Sequence, residues 1–197
     1  MQVDTDVTSG TSAEPDQTSP QQRGKAVLRD IVETIALFIV VFTLSQVLLG
    51  NFMIEQRSAY PHFIPGDRIL VDKVLYHLTG LQRGDMIVGR WQDDPTDVFK
   101  RVIGLPGETV QIENNRVVID GKVLPEPYLE PGVYTQPDGV GKWVLGPNEY
   151  FVMGDNRLDS GDSRQHGPMM ASDIVGRAWL RYWPISKFML ITNPDGG

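Results

Sequence analysis

The feature that most constrains the fold of this chain is a long apolar run, IVETIALFIVVFTLSQVLLGNFMI, from Ile31 to Ile54. No charged residue occurs between Thr34 and Ile54. About 20 apolar residues in an α-helix cross the roughly 30 Å hydrocarbon core of a bilayer. We therefore predict a transmembrane helix over residues 27–54.

Two other structures can produce such a run, namely a cleaved signal peptide and a buried core helix. A signal peptide has a shorter apolar region, a shorter segment before that region, and a small-x-small cleavage site after it. The sequence LLGNFMIEQR at the end of the run offers no such site. The pattern therefore favours an uncleaved membrane anchor.

The segment before the apolar run consists mainly of Ser, Thr, Asp, Gln and Pro, which cannot bury enough surface to offset the entropy of ordering. We predict a disordered tail over residues 1–26. Arg23, Lys25 and Arg29 lie on this side of the run. Because the positive-inside rule counts mainly Lys and Arg, the tail is expected in the cytoplasm and residues 55–197 outside it.

The remainder of the chain has the pattern of short β-strands separated by turns. The clearest segment is ETVQIENNRVVIDGKVL, in which Asn114-Asn115 and Asp120-Gly121 indicate two hairpin turns. Further strands are predicted in DRILVDKVLY, RGDMIVGRW, NEYFVMGD and DIVGRAWLRYW. No long stretch after residue 55 has a convincing helical period. We predict a mostly β, antiparallel and barrel-like domain that hides its sheet edges.

Composition excludes several classes of function. The net charge of −7 argues against a nucleic-acid partner. The absence of cysteine excludes disulfides and thiolate metal sites. The three histidines, His62, His77 and His166, do not have the spacing of helical metal ligands. We therefore expect no metal and no cofactor.

Lys100 lies in the predicted strand DVFKRVIG. Because strand side chains alternate between two faces, Lys100 shares a face with Val98 and Val102. Such a lysine more commonly protects an exposed sheet edge from aggregation. If the face is buried, desolvation lowers the pKa of the amine from about 10.4 towards the roughly 7–8 that a general base needs. Both interpretations of Lys100 remain open at this point.

Two other segments carry candidate chemistry. Ser58 follows the apolar run in IEQRSAYPHFIPGDRILVDK, although most serines in such positions are turn residues. The segment GDNRLDSGDSRQHG, residues 154–167, interleaves three aspartates with two arginines and two serines. This composition fits either a solvated loop or an internally braced one. In the second case an Asp162–Arg164 pair would hold Ser160 in place.

These motifs resemble those of the type I signal peptidase (leader peptidase) family of membrane-anchored serine endopeptidases. FKRVIGLPGE and VMGDNRLDSGDSRQHGP are the most specific segments, and SAYPHFIPGDRILVDK is similar to the segment that carries the nucleophile. RGDMIV and GRAWLRYWP match flanking segments, so the resemblance extends from Ile54 to Pro184 in the family's order. It implies a catalytic Ser–Lys dyad.

The resemblance also assigns roles to individual residues. Ser58 takes the place of the nucleophile and Lys100 that of the general base. Ser160 matches a serine that orients the lysine. Asp162 and Arg164 match a structural ion pair beneath the site. In the same segment Asp155 is expected to give structural support, and the backbone N–H of the nucleophile is expected to donate to the oxyanion.

The chain departs from the family pattern around the nucleophile. Ala59 stands where methionine is usual, and His62 and Phe63 follow the motif proline in place of threonine and leucine. Gln56 occupies the position of a serine that serves some members as a second oxyanion donor. Its side-chain amide is expected to donate instead.

Three functions follow as expectations. The first is a signal peptidase I that removes N-terminal signal peptides from exported preproteins at the lipid bilayer. It would be a single-pass protein of the bacterial plasma membrane, and a monomer is expected. The second is an impaired relative that binds signal peptides without efficient cleavage, as the altered residues around Ser58 would permit. The third is a Ser–His hydrolase that uses His62 or His166 with a nearby aspartate.

Overall fold

The computed structural model describes residues 20–139 and 141–194, in two compact units of which the first ends at Thr43 and the second begins at Leu44. A long helix comes first, and short antiparallel strands make up most of the rest. The helices are α1 (Pro20–Leu48), α2 (Leu75–Thr79) and α3 (Ser163–His166). The strands are β1 (Leu49–Met53), β2 (Arg68–Asp72), β3 (Met86–Trp91), β4 (Asp94–Gly104), β5 (Thr109–Glu113), β6 (Arg116–Ile119), β7 (Lys122–Val123), β8 (Lys142–Val144), β9 (Glu149–Met153), β10 (Met169–Met170), β11 (Ile174–Trp183) and β12 (Met189–Leu190).

The apolar run forms the greater part of α1. Within α1, Val27–Leu48 has a mean hydropathy of 2.2 and is long and apolar enough to cross a membrane. The predicted span, residues 27–54, begins at the same residue as this apolar stretch, but it extends beyond the end of the helix at Leu48. The helix begins at Pro20, where proline has no backbone N–H to lose in the first turn. Residues 20–26, which were predicted to be part of a disordered tail, therefore belong to the helix, and residues 1–19 of that tail lie outside the described residues.

The helix ends at Leu48 because the next five residues pair with another strand. In β1, Leu49 lies opposite Asp72 and Met53 lies opposite Arg68 of β2. Gly50 disfavours continuation of the helix, and it is buried against the side chain of Lys73. The prediction failed here because a short apolar strand and the end of an apolar helix have the same composition.

Two antiparallel sheets form the rest of the fold. The larger has the strand order β1-β2-β11-β3-β4-β9-β10, with β12 also paired to β11. The smaller has the order β7-β6-β5-β8. Register shifts interrupt the pairing of β11 with β2 and β3, and of β4 with β3 and β9, and such bulges bend strands. The predicted class, mostly antiparallel β with one N-terminal apolar helix, is confirmed.

Both predicted turns of the smaller sheet are present. Asn114 and Asn115 have φ values of 50° and 63°, and Asp120 and Gly121 have φ values of 48° and 79°. Positive φ at both central residues is the requirement of the two-residue turn that matches the twist of a hairpin. The turns therefore fix the register of β5, β6 and β7.

β4 is the central element for the site. Its residues 98–104 are all buried, because β4 passes between apolar clusters on its two faces. Val98 and Val102 belong to a cluster with Ile87 and Val152. On the opposite face of β4, Phe99 packs in a cluster with Ala59 and Phe63, and Ile103 packs in a third cluster. Lys100 therefore lies on an interior strand.

The tight packing beside β4 predicts the cost of one added methyl group. A Cβ on Gly104 would lie 2.5 Å from Val110 Cγ2 and 2.8 Å from Leu145 Cδ1, which are buried neighbours without room to move. We expect Gly104→Ala to destabilise the protein by about 1–3 kcal/mol. Thermal unfolding of the full chain in detergent measures the loss. Gly141→Ala is the control, since its Cβ would meet nothing closer than 3.8 Å. Equal melting temperatures for the two variants would contradict this packing.

Candidate active site

Ser58 lies in a tight turn, residues 57–63, that is packed onto β4. We call it the Ser58 turn. The amide of Tyr60 donates to the carbonyl of Arg57, and the amide of Phe63 donates to the carbonyl of Ala59. The side chains of Ala59 and Phe63 are buried against Phe99 of β4. The small Ala59 side chain therefore belongs to the packing of the turn.

The Ser58 hydroxyl lies against the strand that carries Lys100. Ser58 is 5% exposed, and its Oγ donates to the carbonyl oxygen of Phe99 at 3.3 Å. That carbonyl belongs to the peptide unit immediately before Lys100. The structure thus brings Ser58 to the backbone of Lys100, although the Ser58 hydroxyl and the Lys100 amine do not hydrogen-bond each other directly.

Lys100 is a buried lysine, not an edge lysine. It is 1% exposed and lies opposite Ile87 of β3. Its Nζ donates to Ser160 Oγ at 3.0 Å. Burial is the main reason that the pKa of the amine falls from 10.5 to about 8, and the nearby Asp162 carboxylate opposes this fall. About a tenth of the amine is therefore neutral at pH 7.

Gly154 joins the Ser58 turn to the segment that holds Ser160. A Cβ on Gly154 would overlap the Ser160 hydroxyl and would come within 2.5 Å of the Ser58 carbonyl oxygen. The amide of Asn156 donates to that same carbonyl at 2.9 Å. Only glycine permits this approach, so residue 154 brings Ser58 and Ser160 to one place.

Asp162 and Arg164 form the predicted brace. Arg164 Nε donates to Asp162 Oδ1 at 2.8 Å, and its Nη2 donates to Oδ2 at 2.9 Å. Arg164 Nη2 also reaches the carbonyl of Ser160 at 3.3 Å. Asp162 Oδ2 accepts from the amide of Gly154 at 3.1 Å. Although burial raises it, the pKa of the Asp162 carboxyl is lowered overall by its hydrogen bonds to Arg164 and Gly154.

Asp155 supports the site through a partner that the sequence did not indicate. Arg101 Nε and Nη2 bind the two oxygens of Asp155 at 2.8 and 2.7 Å, and both side chains are buried. The nearby Arg157 is fully buried and pairs with Glu126, while its Nε donates to the carbonyl of Gly154 at 3.1 Å. The sequence signal for these pairs was the dense interleaving of aspartates and arginines in residues 154–167.

Neither histidine considered as a base reaches Ser58. His62 Nε2 lies 2.7 Å from the carbonyl oxygen of Tyr128. His166 stacks on Trp91 with ring centroids 4.7 Å apart, and it pairs with Asp93. The structure therefore gives no support to a Ser–His arrangement.

Gln56 lies beside the site on an exposed stretch between β1 and Ser58. It lines a small cleft with Phe52, Ile54, Glu55, Asp97 and Phe99. A role for its amide as an oxyanion donor remains a prediction.

Comparison with known proteins identifies the family. The family model described as signal peptidase, peptidase S26, matches residues 28–183. Signal peptidase I of Bacillus caldolyticus is 36% identical over 160 residues, which cover 76% of this chain and 87% of that protein. The chain belongs to the signal peptidase family, peptidase S26. Signal peptidase IB of Staphylococcus aureus is 31% identical over 189 residues, covering 87% and 97% of the two chains.

One solved structure is also similar to this peptidase. The crystal structure of a signal peptidase I from Enterococcus faecalis is 32% identical, with a TM-score of 0.43, and the likeness covers 49% of this chain and 95% of that one. Membership of peptidase S26 makes the protein a serine peptidase.

The buried amine predicts a trade-off between stability and chemistry in this peptidase. A pKa near 8 in place of 10.5 corresponds to about 3 kcal/mol of disfavoured charge. Because the folded state binds this proton less tightly than the unfolded chain, the penalty is full below about pH 8 and vanishes above 10.5. We expect Lys100→Met to raise the melting temperature at pH 7 and to raise it less at pH 10.

Thermal unfolding of the full chain in detergent at both pH values tests this expectation. Lys122→Met replaces an exposed lysine of β7 and serves as the control, with a change within about 0.5 kcal/mol. A destabilised Lys100→Met protein at pH 7, or an effect independent of pH, would show that the Lys100 amine is not disfavoured by burial.

Proposed function

We propose that this chain is a type I signal peptidase that removes signal peptides from exported preproteins with Ser58 as nucleophile and Lys100 as general base. The observation that carries the proposal is the buried amine of Lys100, whose pKa of about 8 provides neutral base beside the strand position that Ser58 contacts. A neutral amine in an apolar site is the form of lysine that can accept a proton from serine.

The reaction would proceed in two steps. Rotation of the Ser58 hydroxyl away from the Phe99 carbonyl directs its hydrogen to Lys100 Nζ, which accepts the proton as Oγ attacks the scissile carbonyl. Lys100 then gives that proton to the leaving amine, and an acyl-enzyme on Ser58 remains. Water attacks the ester with Lys100 again as base, which releases the acid and restores the Ser58 hydroxyl.

Two donors are suited to the oxyanion. Within residues 20–139 and 141–194 the backbone N–H of Ser58 has no acceptor, so it is free to donate. The Gln56 amide is the second donor that we propose. Ser160 would keep the Lys100 amine directed towards the site, since the two are 3.0 Å apart and Arg164 fixes the Ser160 carbonyl.

The edge of β4 offers a place for an extended substrate. On the β9 side of β4, strand pairing among the described residues begins only at Arg101, so the part of β4 before Lys100 has an unpaired edge there. A peptide can add to such an edge through main-chain hydrogen bonds. The small cleft beside Phe99 would then take small side chains before the scissile bond.

The proposal includes the anchor and its orientation. Val27–Leu48 would cross the bacterial plasma membrane once, with the residues before it in the cytoplasm and the β domain outside. Lys25 and Arg29 on the N-terminal side support this orientation. The bilayer would thus present the cleavage site of the preprotein to the peptidase.

Cleavage of a synthetic substrate tests the dyad. The full chain in detergent is given a peptide whose signal-like part ends in Ala-x-Ala, and the products are identified by mass. We expect cleavage after the second alanine, with kcat/KM reduced at least about a thousandfold by Ser58→Ala and by Lys100→Ala separately.

Ser172→Ala and Lys122→Ala are the matched controls, because both side chains are exposed and belong to other parts of the fold. Cleavage that survives Lys100→Ala would exclude Lys100 as the base. A wild-type chain that binds the peptide without cutting it would instead support an impaired relative.

The pH dependence gives a second test. Since the neutral amine is the active form, kcat/KM is expected to rise about tenfold per pH unit in the acid range and to level off above a pKa of about 8. Initial rates between pH 6 and pH 10 with a substrate that lacks titratable groups near the bond measure this profile. An acid limb near the pKa of about 6.5 typical of histidine would contradict a lysine base.

A further inference from the structure

We propose that His62 is a positioning residue that pins the Ser58 turn to the loop of residues 124–136. This inference rests on the proposed function of Ser58. His62 is a residue in which the chain departs from the family pattern, and it lies four positions after the nucleophile. Its imidazole does not touch the reacting atoms, so its effect would be exerted through the turn.

Both the side chain and the backbone carbonyl of His62 form hydrogen bonds. The Tyr128 carbonyl can only accept, so the His62 contact at 2.7 Å requires Nε2 to carry the hydrogen and donate it. The His62 carbonyl accepts from Arg181 Nη1 at 2.7 Å. The side-chain bond is the one that reaches across to the 124–136 loop.

The residue at the other end of this bond is itself held firmly. Tyr128 is buried, and its hydroxyl donates to Glu126 at 2.8 Å. The guanidinium of Arg101 lies over the Tyr128 ring at 4.1 Å from its centroid. Arg101 in turn binds Asp155. A bond from His62 to Tyr128 therefore ties the turn to a rigid group of side chains.

These contacts close a ring around the Ser58 turn. Glu126 binds Arg157, and Arg157 donates to the Gly154 carbonyl. Two residues further on, the Asn156 amide donates to the Ser58 carbonyl. The path thus runs from His62 through the 124–136 loop to the Gly154 segment and returns to Ser58. The hydrogen bonds of His62 and Asn156 are the two connections between this path and the Ser58 turn.

Loss of the hydrogen bond from His62 to Tyr128 would remove one of these two connections. The turn would keep its buried Ala59 and Phe63 contacts, so the protein should still fold. The Ser58 hydroxyl would sample more positions, and small displacements of reacting groups reduce catalysis more than binding. We expect His62→Ala to lower kcat by about threefold to tenfold with little change in KM.

The experiment compares three variants of the full chain in detergent, using the Ala-x-Ala peptide. His62→Gln keeps an N–H donor in reach of the Tyr128 carbonyl and is expected to recover most of kcat. His77→Ala removes another exposed histidine, on α2, and is expected to leave kcat unchanged. If His62→Ala retains full kcat, or if its loss is not recovered by His62→Gln, the positioning role is wrong.

A second measurement does not depend on turnover. Hydrogen exchange of the Phe63 and Asn156 amides reports how firmly the Ser58 turn is held, because both donate to carbonyls within the turn. His62→Ala is expected to accelerate both exchanges, and His62→Gln to restore them. Unchanged protection in His62→Ala would overturn the inference. If the wild-type chain failed to cleave peptides but showed this exchange pattern, the proposed function would be wrong and the anchoring by His62 would stand.

Discussion

The burial of one amine on an interior strand is the constraint on which the site depends. Lys100 is surrounded by apolar strand residues, and its Nζ donates a hydrogen bond to the Ser160 hydroxyl. Water would solvate an ammonium far better than this environment does, so the population of the neutral amine increases. The same burial that lowers the pKa of the Lys100 amine also lowers the stability of the folded state.

Buried ion pairs hold the loops around this amine. Two bidentate ion pairs lie in the interior, one between Arg101 and Asp155 and the other between Arg164 and Asp162. The desolvation of both charges offsets much of the attraction in such pairs, so they contribute little net stability. Their geometric precision is the more important effect, since a planar guanidinium fixes the carboxylate and the backbone carbonyls that it reaches. The pairs thus position loops that have few apolar side chains of their own.

Much of the fold could be predicted because local physics dominated it. Asn114-Asn115 and Asp120-Gly121 form turns in almost any context, and strand alternation placed Lys100 with two valines. Residue patterns singled out the main candidates for the site, and the motifs of a known family gave them roles. The end of α1 at Leu48 was missed, because only pairing with β2 distinguishes the following strand from more helix.

The sequence by itself determined the apolar helix, the antiparallel β class and the residues to examine, because these depend on composition and on periods of a few residues. Only the tertiary structure decided whether Lys100 lay at an edge or in the interior, since that depends on which strands flank β4. It also decided the partners of Arg101, Arg157 and His62. Apart from the contact of Arg157 with Gly154, the hydrogen bonds of these side chains reach residues at least 17 positions away in the sequence. No local sequence pattern specifies pairings over such distances.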